Sequence, residues 1–548
     1  MHWIEKVVEE LENYVATTKN KTKQDTIIIN GGLSVSGLQH IGRLRGEIII
    51  SETVRKLLER KGYRVKQYLV LYTQDAWKGK ESQVMSFGDE REGRKYTGWP
   101  LIRVPDPKKC HANWVEHYWE DFGGYLDKFT DGKIEVVTTT ELYKTKLKDI
   151  VKEAINKKEK LRITINKYRG RNPYPEEWIP FEPICDKCGR IDKAKAIKYY
   201  PETEEVEYIC ENCGHRGKTS IANGKLNWRI EWASIWKALN IDFEPFGKDH
   251  ATPGGSRDSC VDLSINVFDA KPPMGLAYEW VSLRVNGKEF DMGSSDFLGI
   301  TPKDWYQVAH PEVLRYLYLK EHPRRKVVID MTLIPSYYEE FYRAESLYYD
   351  AMKTHGNLES LPENEYEIAK TYELSMLEPI PSEKPLQPSY LTIALAVQLV
   401  PTDNLAENVV KRLKSSRIIP QELRPFDKKR ITDIAWRAKN WVEKYASPQI
   451  RFTLLQQLSE ELKAKLMYRD LLLRLGEELL KLGENWSEES IKDVMIKVTQ
   501  GLEDDEKKAF YKEFYTIIIG KEFGPRAAPL IEILGQDFVK KRFIEDLS

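Results

Sequence analysis

The sequence has no net charge. Its 548 residues carry 85 Lys+Arg against 85 Asp+Glu. That excludes attachment to nucleic acid by bulk charge and leaves only local basic faces for such a partner. Long hydrophobic runs are missing too. The longest, LTIALAVQLV at 391–400, falls short of the ~20 residues needed to span a bilayer. No secretory leader opens the chain: MHWIEKVVEELENYV reads instead as an amphipathic helix with Trp3, Ile4, Val7, Val8, Leu11 and Tyr14 on one face. These absences predict a soluble, cytoplasmic protein. Cysteine is scarce, six in all, which excludes a disulfide scaffold. Internal repeats and low-complexity tracts are absent. The charged fraction of 31%, rich in Lys and Glu, fits a hot environment.

What is present is ordered into regions. The length suits roughly three or four domains. DTIIIN reads as a buried strand, GGLSVSG as a loop, LQHIGRLRGEIIISETVRKLLERKG as a helix stopped by Gly62, and YRVKQYLVLYT as a second strand. Strand, loop, helix and strand make the βαβ unit of a parallel sheet. EVVTTT and NIDFEPFGKDH supply further strands. Residues 168–220 differ in composition, with prolines, charges and cysteine pairs, and read as an insertion with its own small fold. After Ile300 helices take over: Thr301 suits an N-cap, Pro302 a first helical residue and Asp304 a first-turn acid. RFTLLQQLSEELKAKLMYRDLLLRLGEELLKLG reads as one amphipathic helix ending at Gly483, and Ser487 as the cap of the next.

The loop after the first strand is the most informative stretch. Gly31 and Gly32 let the backbone turn tightly and approach a ligand. Ser34, Ser36 and Gly37 lead to a helix start holding His40 and Gly42, and helix N-termini suit phosphate. His40 has an N–H for phosphate oxygens, and Gly42 leaves a flat space for a purine. A lone HxG is more often an ordinary βα turn with a surface histidine. Its place at the C-terminal edge of the sheet favours a ligand site.

SGLQHIGRLRG resembles the HIGH signature of class I aminoacyl-tRNA synthetases, and DMGSSDFLG stands where that class has its KMSKS signature. More specifically, the chain resembles the archaeal-type class I lysyl-tRNA synthetases over nearly its whole length. VPDPKKCHANWVEHY, TELYK, GKLNWRIEWASIWKALNIDFEPFGKDH, PEVLRYLYLKEHPRRKVVID and IIIGKEFGPRAAPLIEILG carry the resemblance. It implies an α/β Rossmann-type (HUP-like) catalytic domain over 1–300 with a zinc-bearing insertion at 168–220. A helical junction region at 301–390 and an all-α anticodon-binding region at 391–548 would follow. It also implies ATP-dependent activation of lysine and transfer to tRNA, with Mg²⁺ accompanying ATP, by a monomer. By the same resemblance His40, Gly42, Arg43, Met292, Ser294 and Ser295 are expected in catalysis. Gly32, Ser34, Trp228, Trp232, Asp249, His250, Tyr278 and Glu279 are expected to hold lysine or ATP. Aromatic faces and carboxylates suit an ammonium-tipped substrate, although each Trp is as readily explained by core packing.

Three features, at four positions, depart from the family pattern. Val35 replaces a proline of the first loop, Arg43 ends the HIGH-like motif, and Asp291 and Asp296 replace the two signature lysines. The last change takes the local charge from +2 to −2, at roughly 1–4 kcal/mol per phosphate contact. Arg43, Arg45, Arg284 and Lys288 are candidate replacement cations, and aspartate-bound Mg²⁺ is another route.

CDKC (Cys185, Cys188) and CENC (Cys210, Cys213) have the spacing of a tetrahedral zinc cage on a hairpin. All four positions are filled, so the site reads as structural. His215 is a weaker candidate ligand, and Cys110 and Cys260 read as packing thiols. In the helical half, KKRITDIAWRAKNW, NVVKRLKSSR and GKEFGPR combine cations with aromatics, which suits RNA phosphates and splayed bases; any one of them also suits a solvated helix face. Two other readings compete with a lysyl-tRNA ligase: a catalytically degenerate paralogue that binds tRNA or other RNA, and a nucleotidyltransferase acting on a small acceptor. The long helical half speaks against the last.

Overall fold

Three apolar runs build one side of a parallel sheet: β1 (Thr26–Leu33), β2 (Arg64–Leu71) and β3 (Ile134–Thr138). The insertion follows with β4 (Glu182–Pro183), β5 (Ala194–Tyr200), β6 (Glu205–Cys210), β7 (Arg216–Ser220) and β8 (Gly224–Lys225). β9 (Phe243–Gly247) and β10 (Met274–Tyr278) then return to the sheet, whose order is β10-β9-β1-β2-β3 with every pair parallel. The order reverses beside β1, and in such sheets ligands sit beyond the strands' C-terminal ends at that point. On one face β1 buries Ile27 and Ile29 completely, each worth about 1.5–3 kcal/mol; Ile28, on the other face, is partly buried.

This is a computed structural model describing residues 1–548. The chain divides into two units. One comprises Met1–Asp304, Leu314–Ile329 and Leu358–Glu378; the other comprises Trp305–Val313, Asp330–Asn357 and Pro379–Ser548.

The first unit holds the parallel sheet, the insertion and a small sheet of β11 (Val281–Val285), β12 (Lys288–Asp291) and β13 (Val327–Ile329), ordered β12-β11-β13. The N-terminal helix Trp3–Thr17 buries Ile4, Val7, Val8, Leu11 and Val15, and His2 caps it. The sequence reading differs from the structure in two places here. GGL is not loop but the end of β1. The helix after it is not uniform: a 3-10 turn (Ile41–Leu44) runs into a π-helix (Arg45–Ile50), and only Ser51–Arg60 is α-helical. Within the π-helix, Gly46 packs closely on another element. A Cβ there would stand 2.1 Å from the Tyr278 ring, and π-helical turns are frequent at functional sites. Gly62, at φ +88°, ends the segment as expected. Thr301 and Asp304 cap each other reciprocally at the start of Pro302–Tyr306.

The second unit is helical. Its longest members are Ile334–His355 and Pro425–Lys444, tied by Arg430 on the fully buried Glu345 at 2.7 Å. Residues 451–459 are not helical. Their backbone is used in tertiary bonds instead: Leu455 N–H donates to Ile518 O at 2.9 Å, and Arg542 Nη2 donates to Leu455 O at 2.7 Å. Helix resumes as Glu460–Lys465 and Arg469–Leu480, with Gly483 at φ +54° beyond it and Ser487 capping Glu488–Thr499. No helix is long and apolar enough to cross a membrane.

Candidate functional site

A cleft of about 1440 Å³ opens in the first unit at the C-terminal edge of the sheet. Gly32, Ser34, His40, Gly42, Arg43, Trp228, Trp232, Asp249, His250, Tyr278, Met292, Ser294 and Ser295 all line it. Glu279, expected among them, does not. Its carboxylate pairs with Lys248 at 2.6 Å and its carbonyl accepts from Arg45 Nη1 at 2.7 Å.

The end of β1 and the loop of 292–298 are held together closely. A Cβ on Gly37 would lie 2.3 Å from Ser294 O. Ser82 Oγ donates to Ser295 O and Gln83 Nε2 to Ser36 O, both at 2.7 Å. Gly293 and Leu298 bridge each other, Phe297 sits in the left-handed region (φ +56°), and its ring packs 5.2 Å from Tyr118. The two signature-like segments meet directly, since Arg43 Nε donates to Ser294 Oγ at 3.0 Å. Val35 is buried, and its carbonyl accepts from Trp114 Nε1 at 3.1 Å. The space over Gly42 is not flat and open. A Cβ there would meet His40 Nδ1 at 2.9 Å and Met292 Cε at 3.2 Å, so a purine needs these side chains to move. His40 Nδ1 is sealed from solvent without a hydrogen-bond partner. Burial, then Arg43, lowers its pKa to about 3, so the ring is neutral.

Beside the turn, Glu47 is buried with both oxygens 2.6 Å from the Tyr278 hydroxyl, which donates to it. Burial pushes its pKa up to about 7 against the pull of Tyr278 and Arg43. A second buried carboxylate, Glu244 on β9, accepts from Trp232 Nε1 (2.5 Å), Trp236 Nε1 (2.9 Å) and Asn30 Nδ2 (3.0 Å). Burial raises its pKa too. Trp228 stacks on Trp232 at 6.0 Å, and His250 lies 5.2 Å from Trp232. An acid beneath aromatic faces is a receptor for an alkylammonium group. Deeper still, Lys225 meets Asp75 at 2.5 Å and Glu231 at 3.1 Å. Burial opposes its charge, but Asp75, Glu231 and Glu182 hold the ammonium firmly protonated.

The two aspartates are not bare. Asp296 receives Lys80 at 2.9 and 3.0 Å. Asp291 accepts from Ser282 Oγ at 2.5 Å and pairs with Lys326 at 3.0 Å, which holds its carboxyl below the usual range. Of the candidate replacement cations, Arg45 is spent on the carbonyls of Glu279 and His322 and Arg284 faces Glu289. Arg43 alone reaches the loop and lines the cleft.

In the insertion, Cys185, Cys188, Cys210 and Cys213 gather as a group that could hold a metal ion. Two Sγ pairs lie 3.7 and 3.6 Å apart, close to the edge of about 3.8 Å of a tetrahedron with Zn–S near 2.3 Å. Gly189 (φ +75°) and Gly214 (φ +70°) turn the two knuckles. His215 is not in the group. Cys260 is the packing thiol expected, buried with its Sγ on Arg229 O. Cys110 is not: it is exposed, with Sγ 3.2 Å from His111 Nδ1 and 3.3 Å from His117 Nδ1. With the buried Asp106, these three residues form a second group whose donors could hold a metal. The signal was present in DPKKCHANWVEH, whose donors are spaced to converge on a turn and the first coil of a helix.

A family model described as tRNA synthetases class I (K) matches residues 1–378. The chain is 46% identical to a lysine–tRNA ligase of Aeropyrum pernix, covering 99% of this chain and 97% of that one. It is 31% identical to a lysine–tRNA ligase of Methanocaldococcus jannaschii, with 99% of each covered. Among solved structures, a glutamate tRNA ligase of Elizabethkingia meningosepticum aligns with 95% of this chain and 99% of its own at 10% identity and a TM-score of 0.36.

Proposed function

The chain belongs to the class I (K) tRNA synthetases, and on that premise we propose that it is a lysine–tRNA ligase. A lysine carboxylate oxygen attacks the α-phosphorus of ATP, the α–β anhydride bond breaks, and lysyl-adenylate and pyrophosphate form. The 2′-hydroxyl of the terminal adenosine of tRNA then attacks the lysyl carbonyl, and AMP leaves. The observation that carries this reading is one cleft in which the HIGR turn and the MGSSD loop are joined through Arg43 and Ser294, beside an aromatic recess floored by Glu244.

In this reading the lysine ammonium lies against Trp228 and Trp232 with Glu244 beneath, and Gly32 and Ser34 line its approach. Asp249 and His250 close the rim. Neutral His40 lines the cleft beside the phosphate position, and the fixed donors act mainly by positioning and by stabilising phosphate charge. Mg²⁺, when bound with ATP, supplies further neutralisation. The four cysteines hold a structural Zn²⁺, and the Asp106 group has the donors for a second one. Residues 1–300 then carry activation, with 168–220 as the zinc-bearing insertion. Residues 301–390 meet the acceptor stem, and 391–548 bind the anticodon arm, in a monomeric cytoplasmic enzyme. The degenerate-paralogue reading rested on Asp291 and Asp296 standing in place of the two signature lysines; both are ion-paired.

The test is charging of purified lysine tRNA with labelled lysine, ATP and Mg²⁺. Lysyl-tRNA is the expected product. Retained tRNA binding without charging would overturn the ligase reading in favour of an RNA-binding role.

A further inference from the structure

The family's two signature lysines are missing from the loop of 291–296, yet the cleft beside that loop is not without cations. Five line it: Arg43, Lys78, Arg169, Lys195 and Lys225. Three are committed. Lys225 is held by Asp75 and Glu231. Lys195 pairs with Glu211. Arg169 lies over the Tyr174 ring at 3.7 Å and donates to Asn172 O. Arg43 touches the loop only through a hydroxyl, Ser294 Oγ. Lys78 is exposed, and no carboxylate lies within ion-pair distance of it.

The segment that presents Lys78 is rigidly mounted. Trp77 is fully buried, exchanges backbone hydrogen bonds with Gly98 and Trp99 (2.8 and 2.7 Å), and stands edge-on to Trp114 at 5.4 Å. Gly79 then takes φ +65°, where a Cβ would lie 2.4 Å from Thr97 Oγ1. This left-handed residue separates two lysines of different fate. Lys78 lines the cleft; Lys80 reaches Asp296 on the loop. Lys80 and Lys326 pair with the two aspartates, and neither lines the cleft.

We propose that Arg43 and Lys78 are the phosphate-facing cations of lysine activation in this chain, replacing the two signature lysines, and that Asp291 and Asp296 dock the loop through Lys326 and Lys80. Arg43, which also faces Glu47 and Asp249, and Lys78 both line the cleft that the loop borders. Lys80 pairs with Asp296, and Lys326 is shared between Asp291 and Glu289, so the loop's two acids are offset by lysines that do not line the cleft. The loop's acids serve as anchors, a role in which a solvent-exposed pair of small energy suffices.

The proposal rests on the ligase reading, so its test has a readout independent of charging. The full-length chain and its Lys78→Ala, Arg43→Ala and Lys80→Ala variants are compared in two assays. One is lysine-dependent ATP–pyrophosphate exchange with tRNA present; the other is calorimetric binding of Mg²⁺–ATP. Lys78→Ala and Arg43→Ala are each expected to lower the exchange kcat by about 100-fold. The lysine KM should stay within about two-fold, as for groups acting only on phosphate. ATP binding should weaken in both variants, whereas Lys80→Ala should bind ATP like the parent. Adding Asp296→Lys to Lys78→Ala returns a signature cation and should recover about ten-fold of the lost exchange. Exchange and ATP binding unchanged in Lys78→Ala would overturn the assignment, as would a loss confined to Lys80→Ala. If the parent binds ATP but never charges lysine, the ligase reading fails while the weakened ATP binding of the two variants still upholds the cation assignment. No ATP binding by the parent overturns both.

Discussion

Replacing Glu47 by Gln should change stability little near pH 4.5 and below, and make the protein progressively more stable than the parent as the pH rises to about 7, with the gain held above that. Glu47 is buried beside the HIGR turn, its Cβ packed where Gly31 leaves room, a Cβ on Gly31 being only 2.6 Å away. Burial lifts its pKa from 4.5 to about 7. In the unfolded chain the group ionises near its ordinary value. Between these limits the folded state binds the extra proton, so raising the pH favours unfolding. The contribution is fully present below 4.5 and is lost as pH rises through about 7. At about 1.4 kcal/mol per pH unit, the loss totals about 3 kcal/mol.

Glutamine imitates the protonated acid. It retains an oxygen for the Tyr278 hydroxyl, which lies 2.6 Å from Glu47, and it carries no charge to desolvate. Thermal melts of parent and variant from pH 4.5 to pH 8 should therefore nearly coincide at the acid end. They should diverge as the pH rises to about 7, with the variant more stable by up to about 3 kcal/mol at pH 8. Parallel profiles, or a variant less stable at pH 8, would refute the reasoning. Either result would mean that Arg43, the nearest cation, compensates an ionised Glu47 fully, and that its charge is then spent on Glu47 rather than on the cleft.

Glu244→Gln keeps acceptors for Trp232 and Trp236 but removes the buried charge beneath the recess; a lost charge-assisted bond of about 1.5–3 kcal/mol should raise the lysine KM about 10- to 100-fold in steady-state charging, and an unchanged KM would move the ammonium site elsewhere. Cys188→Ser should release one zinc equivalent by elemental analysis and loosen β5–β7, with catalysis in the sheet domain less affected; a full zinc complement in the variant would sink the tetrathiolate assignment.

How much of this was legible in the sequence depends on the range of the interactions. The parallel sheet was readable because its strands are continuous apolar runs, as in Ile27, Ile28 and Ile29, of which the first and third are fully buried. The N-terminal helix was readable from periodicity, and its capping by His2 was not, since it depends on one histidine rotamer. The helix expected across 451–483 broke because Leu455 is bonded to Ile518. Amphipathic spacing reports which side chains want burial and carries no information on a distant carbonyl competing for the backbone. The π-helix at Arg45–Ile50 likewise packs, through Gly46, on a tyrosine more than two hundred residues away in the chain.

The site divides along the same line. His40, Gly42, the two tryptophans and the four cysteines stand out locally by residue type and spacing, and the structure brings each into the expected cleft or cluster. Glu244 and Glu47 had a faint local signal, an acid set in apolar runs (DFEPF and GEIII). The loop's charge balance had none. Read locally, Asp291 and Asp296 are two negative charges in a phosphate loop. In space each is half of an ion pair whose lysine comes from another element, 35 residues later for Lys326 and 216 residues earlier for Lys80. Electrostatic potential sums over space and ignores chain order. A signature motif specifies where positive charge is needed and which residues usually provide it. When the residues change and the fold persists, the requirement passes to whatever side chains the fold brings within a few ångströms. Arg43, bonded to Ser294, and Lys78, lining the same cleft, are the side chains proposed for that role here.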